Sequence, residues 1–280
     1  MTLTIIGLGL MGGSAAIDLR KRGFTDKIIG VDNNKINANA AHHIGFVDEI
    51  TDLETAVAQA DMVILAIPVD ATGVLLPKVL DLIDKQIVTD MCSTKASLLE
   101  RVKYHPKRKQ YVAAHPMAGT EFSGPWAAMS GMFDSKAAIL CDTEDSDIRA
   151  LAMVKRMYET LNMRVIYMNA TNHDVHAAYV SHISHISSFA LALTVLEKEK
   201  NEKHIFDLAS GGFDSTVRLA KSSPDMWTPI FSQNKENVIT VLNTYINNLQ
   251  QFRDCIENDE TEKVHALIKE SNKIKRVLFR

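Results

Sequence analysis

Cysteine is scarce in this 280-residue chain. There are three, Cys92, Cys141 and Cys255, odd in number and far apart. That excludes a disulfide framework, offers no zinc spacing, and reads as free thiols in a reducing cytoplasm. An excess of one charge is also lacking. The formal net charge is −3, which gives no reason to expect a nucleic-acid or membrane partner. Long hydrophobic runs are missing too: the longest, residues 62–69, is far too short to cross a bilayer. The apolar N-terminus has no basic segment, so it does not read as a signal peptide. Neither an internal repeat nor a low-complexity linker is visible. The remainder is 46% hydrophobic and 23% charged, ordinary for a soluble globular protein of one large or two medium domains.

The most informative stretch comes first. A short apolar segment, residues 2–6, runs into Gly7-Leu8-Gly9-Leu10-Met11-Gly12-Gly13-Ser14, and a helical pattern follows. This is G-x-G-x-x-G between a strand and a helix. Gly7 permits the tight turn, Gly9 lets a pyrophosphate approach the backbone, and Gly12 lets helix and strand pack closely. The amides at the helix start, around Leu10 and Met11, point at the phosphates. A second strand ends in Asp32, about twenty residues on, where an acid accepts the ribose hydroxyls. Asn33 and Asn34 follow instead of a basic residue, so the pattern points to NAD over NADP. The glycines alone would fit a structural turn, with Asp32 as a helix cap.

Strand-like and helical stretches alternate to residue 168, as in a doubly wound α/β sheet of Rossmann type. Such sheets bind ligands at the carboxyl ends of their strands. That places Pro68, residues 90–95 and residues 115–121 at the nucleotide crevice. After residue 169 the strands stop. Residues 171–199 read as one long helix, apolar on nearly every side and therefore buried. Residues 230–252 show a helical stripe. The last helix begins acidic at Asp259 and Glu260 and ends basic at Lys275, Arg276 and Arg280. The division expected is a dinucleotide-binding domain, 1–168, and an all-helical domain, 169–280. The second is too thin to bury so much apolar helix alone, so we expect a homodimer.

Several residues could carry chemistry. His115 ends a predicted strand and opens a loop fixed by Pro116 and Gly119. A neutral imidazole there could accept an alcohol proton as hydride leaves the carbon; the residue could equally be a plain loop histidine. Ser93, on the neighbouring strand end, could bond the same hydroxyl or cap the next helix. His173, His176, His182 and His185 form two H-x-x-H pairs, but they cannot all converge on one ion, so no metal is expected. His173 and His176 read as solvated or core residues. His182 and His185 read as buried, one or both lining a cleft. Arg218 could grip a carboxylate bidentately or make a surface ion pair. Trp227 would supply an aromatic wall.

Taken jointly, the turn from Gly7 to Ser14, the Asp90/Ser93/Lys95 pattern, the loop from His115 to Glu121, His173-Asp174 with Ser181-His182 and His185, and Gly211-Gly212-Phe213 with Arg218, Pro224, Met226 and Trp227 resemble the prephenate dehydrogenase family of tyrosine biosynthesis. The resemblance spans nearly the whole chain. It implies an NAD-binding domain, a helical dimerisation domain, and oxidative decarboxylation of prephenate to 4-hydroxyphenylpyruvate. It implies that His115, assisted by Ser93, bonds the ring hydroxyl and that Arg218 binds a substrate carboxylate. Thr120, Glu121, His185, Ser222 and Trp227 would line the pocket, and Ser93 would also lie against the cofactor. Two positions depart. The family commonly has a basic residue and then an acid after Gly-Gly-Phe; this chain has Asp214 and Ser215. An acid at 214 suggests that arogenate, with its ammonium, could replace prephenate as the substrate. The residues also fit a two-domain hydroxy- or imino-acid dehydrogenase, although such enzymes usually carry a lysine on the long helix, or a non-catalytic NAD-binding protein.

Overall fold

In the computed structural model, residues 1–200 and 204–278 are described. Arg280, expected at the basic end of the last helix, lies outside them. The elements in order are β1 (Thr2–Ile6), α1 (Leu10–Lys21), β2 (Lys27–Val31), α2 (Lys35–Ile44), β3 (Glu49–Ile50), α3 (Leu53–Gln59), β4 (Met62–Leu65), α4 (Val69–Leu82), β5 (Ile87–Asp90), α5 (Ala96–Val102), β6 (Tyr111–Pro116), β7 (Ala137–Cys141), α6 (Ile148–Thr160) and β8 (Arg164–Met168). Helices follow: α7 (Ala170–Ala177), α8 (Ile183–Glu199), α9 (Gly211–Val217), α10 (Pro224–Gln233), α11 (Lys235–Glu257) and α12 (Thr261–Ser271).

The strands form one sheet in the order β3-β2-β1-β4-β5-β6-β7-β8. All neighbours are parallel except β6 and β7, which run antiparallel. The sheet is thus the doubly wound type expected, with a reversed two-strand extension at one edge. Parallel strands are covered on both faces, and their sequences alternate between two cores. Leu3, Ile5, Met62 and Ile64 face one core with α1 and α6. Ile6, Val63 and Leu65 face the other with α4 and α5. Local chemistry starts the helices: the Asn34 side chain accepts from Ile36 and Asn37, and Asp147 from Arg149.

The long helix is continuous from Ala170 to Glu199, but its ladder widens to a π-helical turn over Ala178–His182, between α7 and α8. Its expected burial is not found among the described residues. Only 11% of its most apolar window is buried, and by length and composition it could cross a membrane. Tyr179, Val180, Leu193 and Leu196 stand exposed. A helix apolar all round reads as core, yet these four side chains stay exposed among the described residues. The stripe expected over 230–252 is broken at Asn234, between α10 and α11. By contact density residues group into two compact units, Met1–Asn234 and Lys235–Arg280. The first carries the sheet and the helices through α10; the second carries α11 and α12.

Candidate active site

Five parallel strands end at the same edge of the sheet, and each delivers one piece of the site. β1 delivers the glycine turn. Gly7 has φ +97°, and a Cβ on it would meet the Ala66 carbonyl oxygen at 2.5 Å. A Cβ on Gly12 would lie 2.0 Å from the Gly7 oxygen, so strand and helix touch through bare backbone. A Cβ on Gly9 would find nothing nearer than the Gly124 nitrogen at 4.0 Å. That glycine therefore faces room, not protein. No side chain caps α1, which leaves its first amides, including those of Leu10, Met11 and Gly12, turned toward that room. The cradle fits a dinucleotide pyrophosphate.

β2 delivers Asp32. Its Oδ2 accepts the Leu8 amide at 2.9 Å and its Oδ1 the Asn34 amide at 2.8 Å. The acid thus orders the turn it faces, and lone pairs remain for ribose hydroxyls. β4 ends before Pro68, which opens α4.

β5 and the loop after it hold a buried ion pair. Asp90 and Lys95 are both fully buried and bonded to each other. Asp90 Oδ1 also accepts from the Tyr111 hydroxyl at 2.7 Å and the Ala114 amide at 3.0 Å. The Lys95 Nζ donates to the Ala114 carbonyl at 2.7 Å. These bonds tie the end of β5 to the residue preceding His115. Ser93 lies in this loop, half-buried. Beside it, burial pushes the Cys92 thiol up to about 12, so no thiolate nucleophile forms there.

β6 delivers His115. The Pro/Gly loop is expected to present it, but the side chain is buried, only 7% exposed. Burial holds its imidazole well below the usual range, and His173, Lys95 and His182 add to this. Its Nδ1 lies 2.8 Å from His173 Nε2, and His173 Nδ1 lies 2.8 Å from Asp174 Oδ1. Composition and spacing give no sign of this chain of contacts. His173 reads as solvated or core, because its partner lies 58 residues away in sequence. The adjacent His-Asp pair near a helix start is the available signal.

The helical side of the site gathers the remaining residues. Glu121 accepts from Arg218 Nη1 at 2.8 Å, so the guanidinium expected to hold a substrate carboxylate holds one from the chain. Thr120 caps the same loop turn, its Oγ1 accepting from the Phe122 amide. His185, half-buried, stacks on Trp227 with ring centroids 3.5 Å apart. Trp227 is buried against Val69, Cys92 and Leu98 at the crevice. Ser222 is buried just before α10. His182 is fully buried, its Nδ1 3.2 Å from Asn234 Nδ2, and burial lowers it to about 4. Asp214 pairs with Lys221 at 3.2 Å. Lys221 and Glu121 line a cavity of about 550 Å³ with Phe122, Ser123, Trp126 and Ala127. Among the described residues no cluster of three or more His, Cys, Asp or Glu could hold a metal.

This edge can hold a dinucleotide and place a neutral imidazole at its inner end, with Arg218 paired to Glu121 on the loop that follows His115. Known proteins resemble this chain in sequence and fold. Residues 15–167 match the family model "Prephenate dehydrogenase, nucleotide-binding domain", and residues 169–270 match "Prephenate dehydrogenase, dimerization domain". The chain is 30% identical over 272 residues to prephenate dehydrogenase of Bacillus subtilis (strain 168), covering 96% of this chain and 73% of that protein. It is 30% identical to cyclohexadienyl dehydrogenase of Zymomonas mobilis, covering 99% and 95%. Its fold is similar to that of A. aeolicus prephenate dehydrogenase, solved with hydroxyphenyl propionate and NAD+. The TM-score is 0.89, at 34% identity, covering 100% of this chain and 98% of that one. The chain belongs to the prephenate dehydrogenase family.

Proposed function

We propose that the chain is an NAD-dependent dehydrogenase that oxidatively decarboxylates prephenate to 4-hydroxyphenylpyruvate. The observation that carries this reading is His115: a buried, neutral imidazole at the end of the dinucleotide crevice, with a cation, Arg218, paired to Glu121 on the loop that follows it. The nicotinamide, when bound, supplies the hydride acceptor. Gly7, Gly9, Leu10, Met11 and Gly12 would hold its pyrophosphate, Asp32 its adenosine ribose, and Pro68 and Ser93 the crevice wall. That NAD was bound in the A. aeolicus relative, and that Asn33 and Asn34 follow Asp32, support NAD over NADP.

His115 accepts the proton of the ring hydroxyl as the carbonyl forms. Ser93 shares that hydroxyl. Loss of the ring carboxylate as carbon dioxide sends its electrons to the new carbonyl oxygen. His115 then returns the proton, and the phenol is complete. The imidazole ends as it began. Arg218 holds a substrate carboxylate in place of Glu121, and Thr120, His185, Ser222 and Trp227 shape the pocket. Aromatisation supplies the driving force, so the chain needs to orient the carboxylate more than activate it.

Arogenate carries the same cyclohexadienol ring, and Asp214 invites it through its ammonium. The Asp214–Lys221 pair weighs against that, because the carboxylate is already matched by a cation. The domain division at 168/169, a cytoplasmic setting and a homodimer belong to this proposal; the match to a dimerisation domain and the uncovered long helix support the last. Absorbance at 340 nm tests the activity. Prephenate with NAD should give the larger kcat/KM. A larger value for arogenate would overturn the substrate assignment, and silence with both would overturn the reaction.

A further inference from the structure

The three buried groups His115, His173 and Asp174 form an ordered line whose proton positions follow from their partners. Asp174 Oδ1 receives the Lys95 amide at 2.8 Å, and its Oδ2 receives the Ala96 amide at 2.9 Å. Both oxygens therefore act as acceptors. His173 Nδ1, 2.8 Å from Oδ1, must carry a proton to bond it. A neutral His173 then has its lone pair on Nε2, which faces His115 Nδ1 at 2.8 Å. His115 must in turn carry its proton on Nδ1. Its lone pair is left on Nε2.

We propose that His173 and Asp174 are positioning residues that hold His115 in the tautomer with Nε2 open to accept the substrate's hydroxyl proton. The inference rests on the reading of His115 as the proton acceptor. The line is anchored by one residue at both ends. The Lys95 amide holds Asp174, and the Lys95 ammonium holds the carbonyl of Ala114, the residue before His115. All the members are buried, so water does not compete for the bonds. The line also accommodates the borrowed proton. When Nε2 takes the hydroxyl proton, the Nδ1 proton can move to His173 Nε2. The positive charge then rests on a ring bonded to the Asp174 carboxylate. Reversal of that shift frees the Nε2 proton for return to the phenolate oxygen, and no proton is gained or lost.

Two measurements test this. The first is a two-bond ¹⁵N–¹H correlation on the ligand-free protein labelled with ¹⁵N-histidine, with the His115 signals assigned by their loss in His115→Asn. The expected spectrum shows His115 protonated at Nδ1 and bare at Nε2. A wild-type His115 protonated at Nε2 overturns the proposal, whatever the substrate proves to be. The second is steady-state kinetics with prephenate and NAD. His173→Gln keeps an acceptor oxygen for the His115 Nδ1 proton, whereas His173→Leu removes it. The Gln variant should retain at least tenfold more kcat than the Leu variant. Asp174→Asn, which can donate toward His173 and invert both tautomers, should lose roughly a hundredfold or more in kcat with KM within threefold of wild type. Equal kcat in the Gln and Leu variants would reduce His173 to a packing residue and overturn the proposal. If both substrates prove inert, the function proposed above fails while the spectrum still decides the tautomer.

Discussion

A histidine stays neutral when it is buried or has positive neighbours, and His115 has both. Burial and the charge of Lys95 hold it well below its ordinary value, so the base form dominates across the physiological range. If His115 is the base, as proposed, protonation silences it, and activity should fall on the acid side. The acid limb of kcat/KM is expected below the reference imidazole value of about 6.5, not at it as an unperturbed histidine would give. A limb at or above that value would show that His115 is not the group titrating. His115→Asn should lower kcat by roughly 10²–10⁴-fold with KM little changed. Arg218→Ala should act the other way. Loss of one charge-assisted bond to a carboxylate raises KM roughly 10- to 150-fold with a smaller change in kcat, and an unchanged KM would remove Arg218 from the site. Both residues are legible as residue types at punctuated positions, His115 at a Pro/Gly loop and Arg218 after a Gly pair. Their partners are not. Glu121 and Arg218 are 97 residues apart and His115 and His173 are 58 apart, and no local pattern encodes a pairing made by tertiary packing.

At the scale of elements, the glycine turn is the most legible feature, because backbone close approach leaves a mark in sequence that side-chain packing does not. Its glycines nevertheless do different work. A Cβ at position 12 collides with backbone 2.0 Å away, and one at position 9 meets open space. Gly12→Ala should therefore lower the melting temperature, by an overpacking cost of about 1–3 kcal/mol, and lose dinucleotide affinity with it. Gly9→Ala should keep the wild-type melting temperature and still bind NAD at least tenfold more weakly, because the added methyl occupies the phosphate face. Thermal melting alongside calorimetric titration with NAD separates the two, and wild-type affinity in Gly9→Ala would place the pyrophosphate elsewhere. The parallel strands are legible as short apolar runs, but the reversal of β7 is not. Strand direction depends on the path of the preceding loop, here pinned when Asp18 accepts from Ser130 and the Gly131 amide. The π turn is invisible for a similar reason. It changes the phase of the helix by one residue without changing its composition, and it carries His182 into a fully buried position.

At the scale of the molecule, stability and assembly follow from what is buried and what is not. His182 is buried neutral, lowered to about 4, whereas the unfolded chain titrates it near its reference value of about 6.5. As pH falls through that window the unfolded state binds a proton that the folded state refuses. Stability is therefore full above about 6.5 and declines toward about 4. Urea midpoints should drop over this range, and His182→Gln should flatten the slope; an unchanged slope would mean that His182 does not carry it. Assembly turns on the helix Ala170–Glu199. Burial is the natural reading of its sequence, yet only 11% of its most apolar window is buried among the described residues. Exposed Leu193 and Leu196, one turn apart on α8, form an apolar edge that water penalises at about 25 cal/mol per Å². In the proposed homodimer a second copy of the chain would remove that penalty by symmetry, with the same face on each protomer. Light scattering at micromolar concentration should then give twice the 31.1 kDa chain mass. Leu193→Glu, which puts a charge into the buried face, should shift that mass toward the monomer while leaving the sheet intact by circular dichroism. A wild-type monomer would sink the homodimer, and a Leu193→Glu protein still fully dimeric would move the interface off α8.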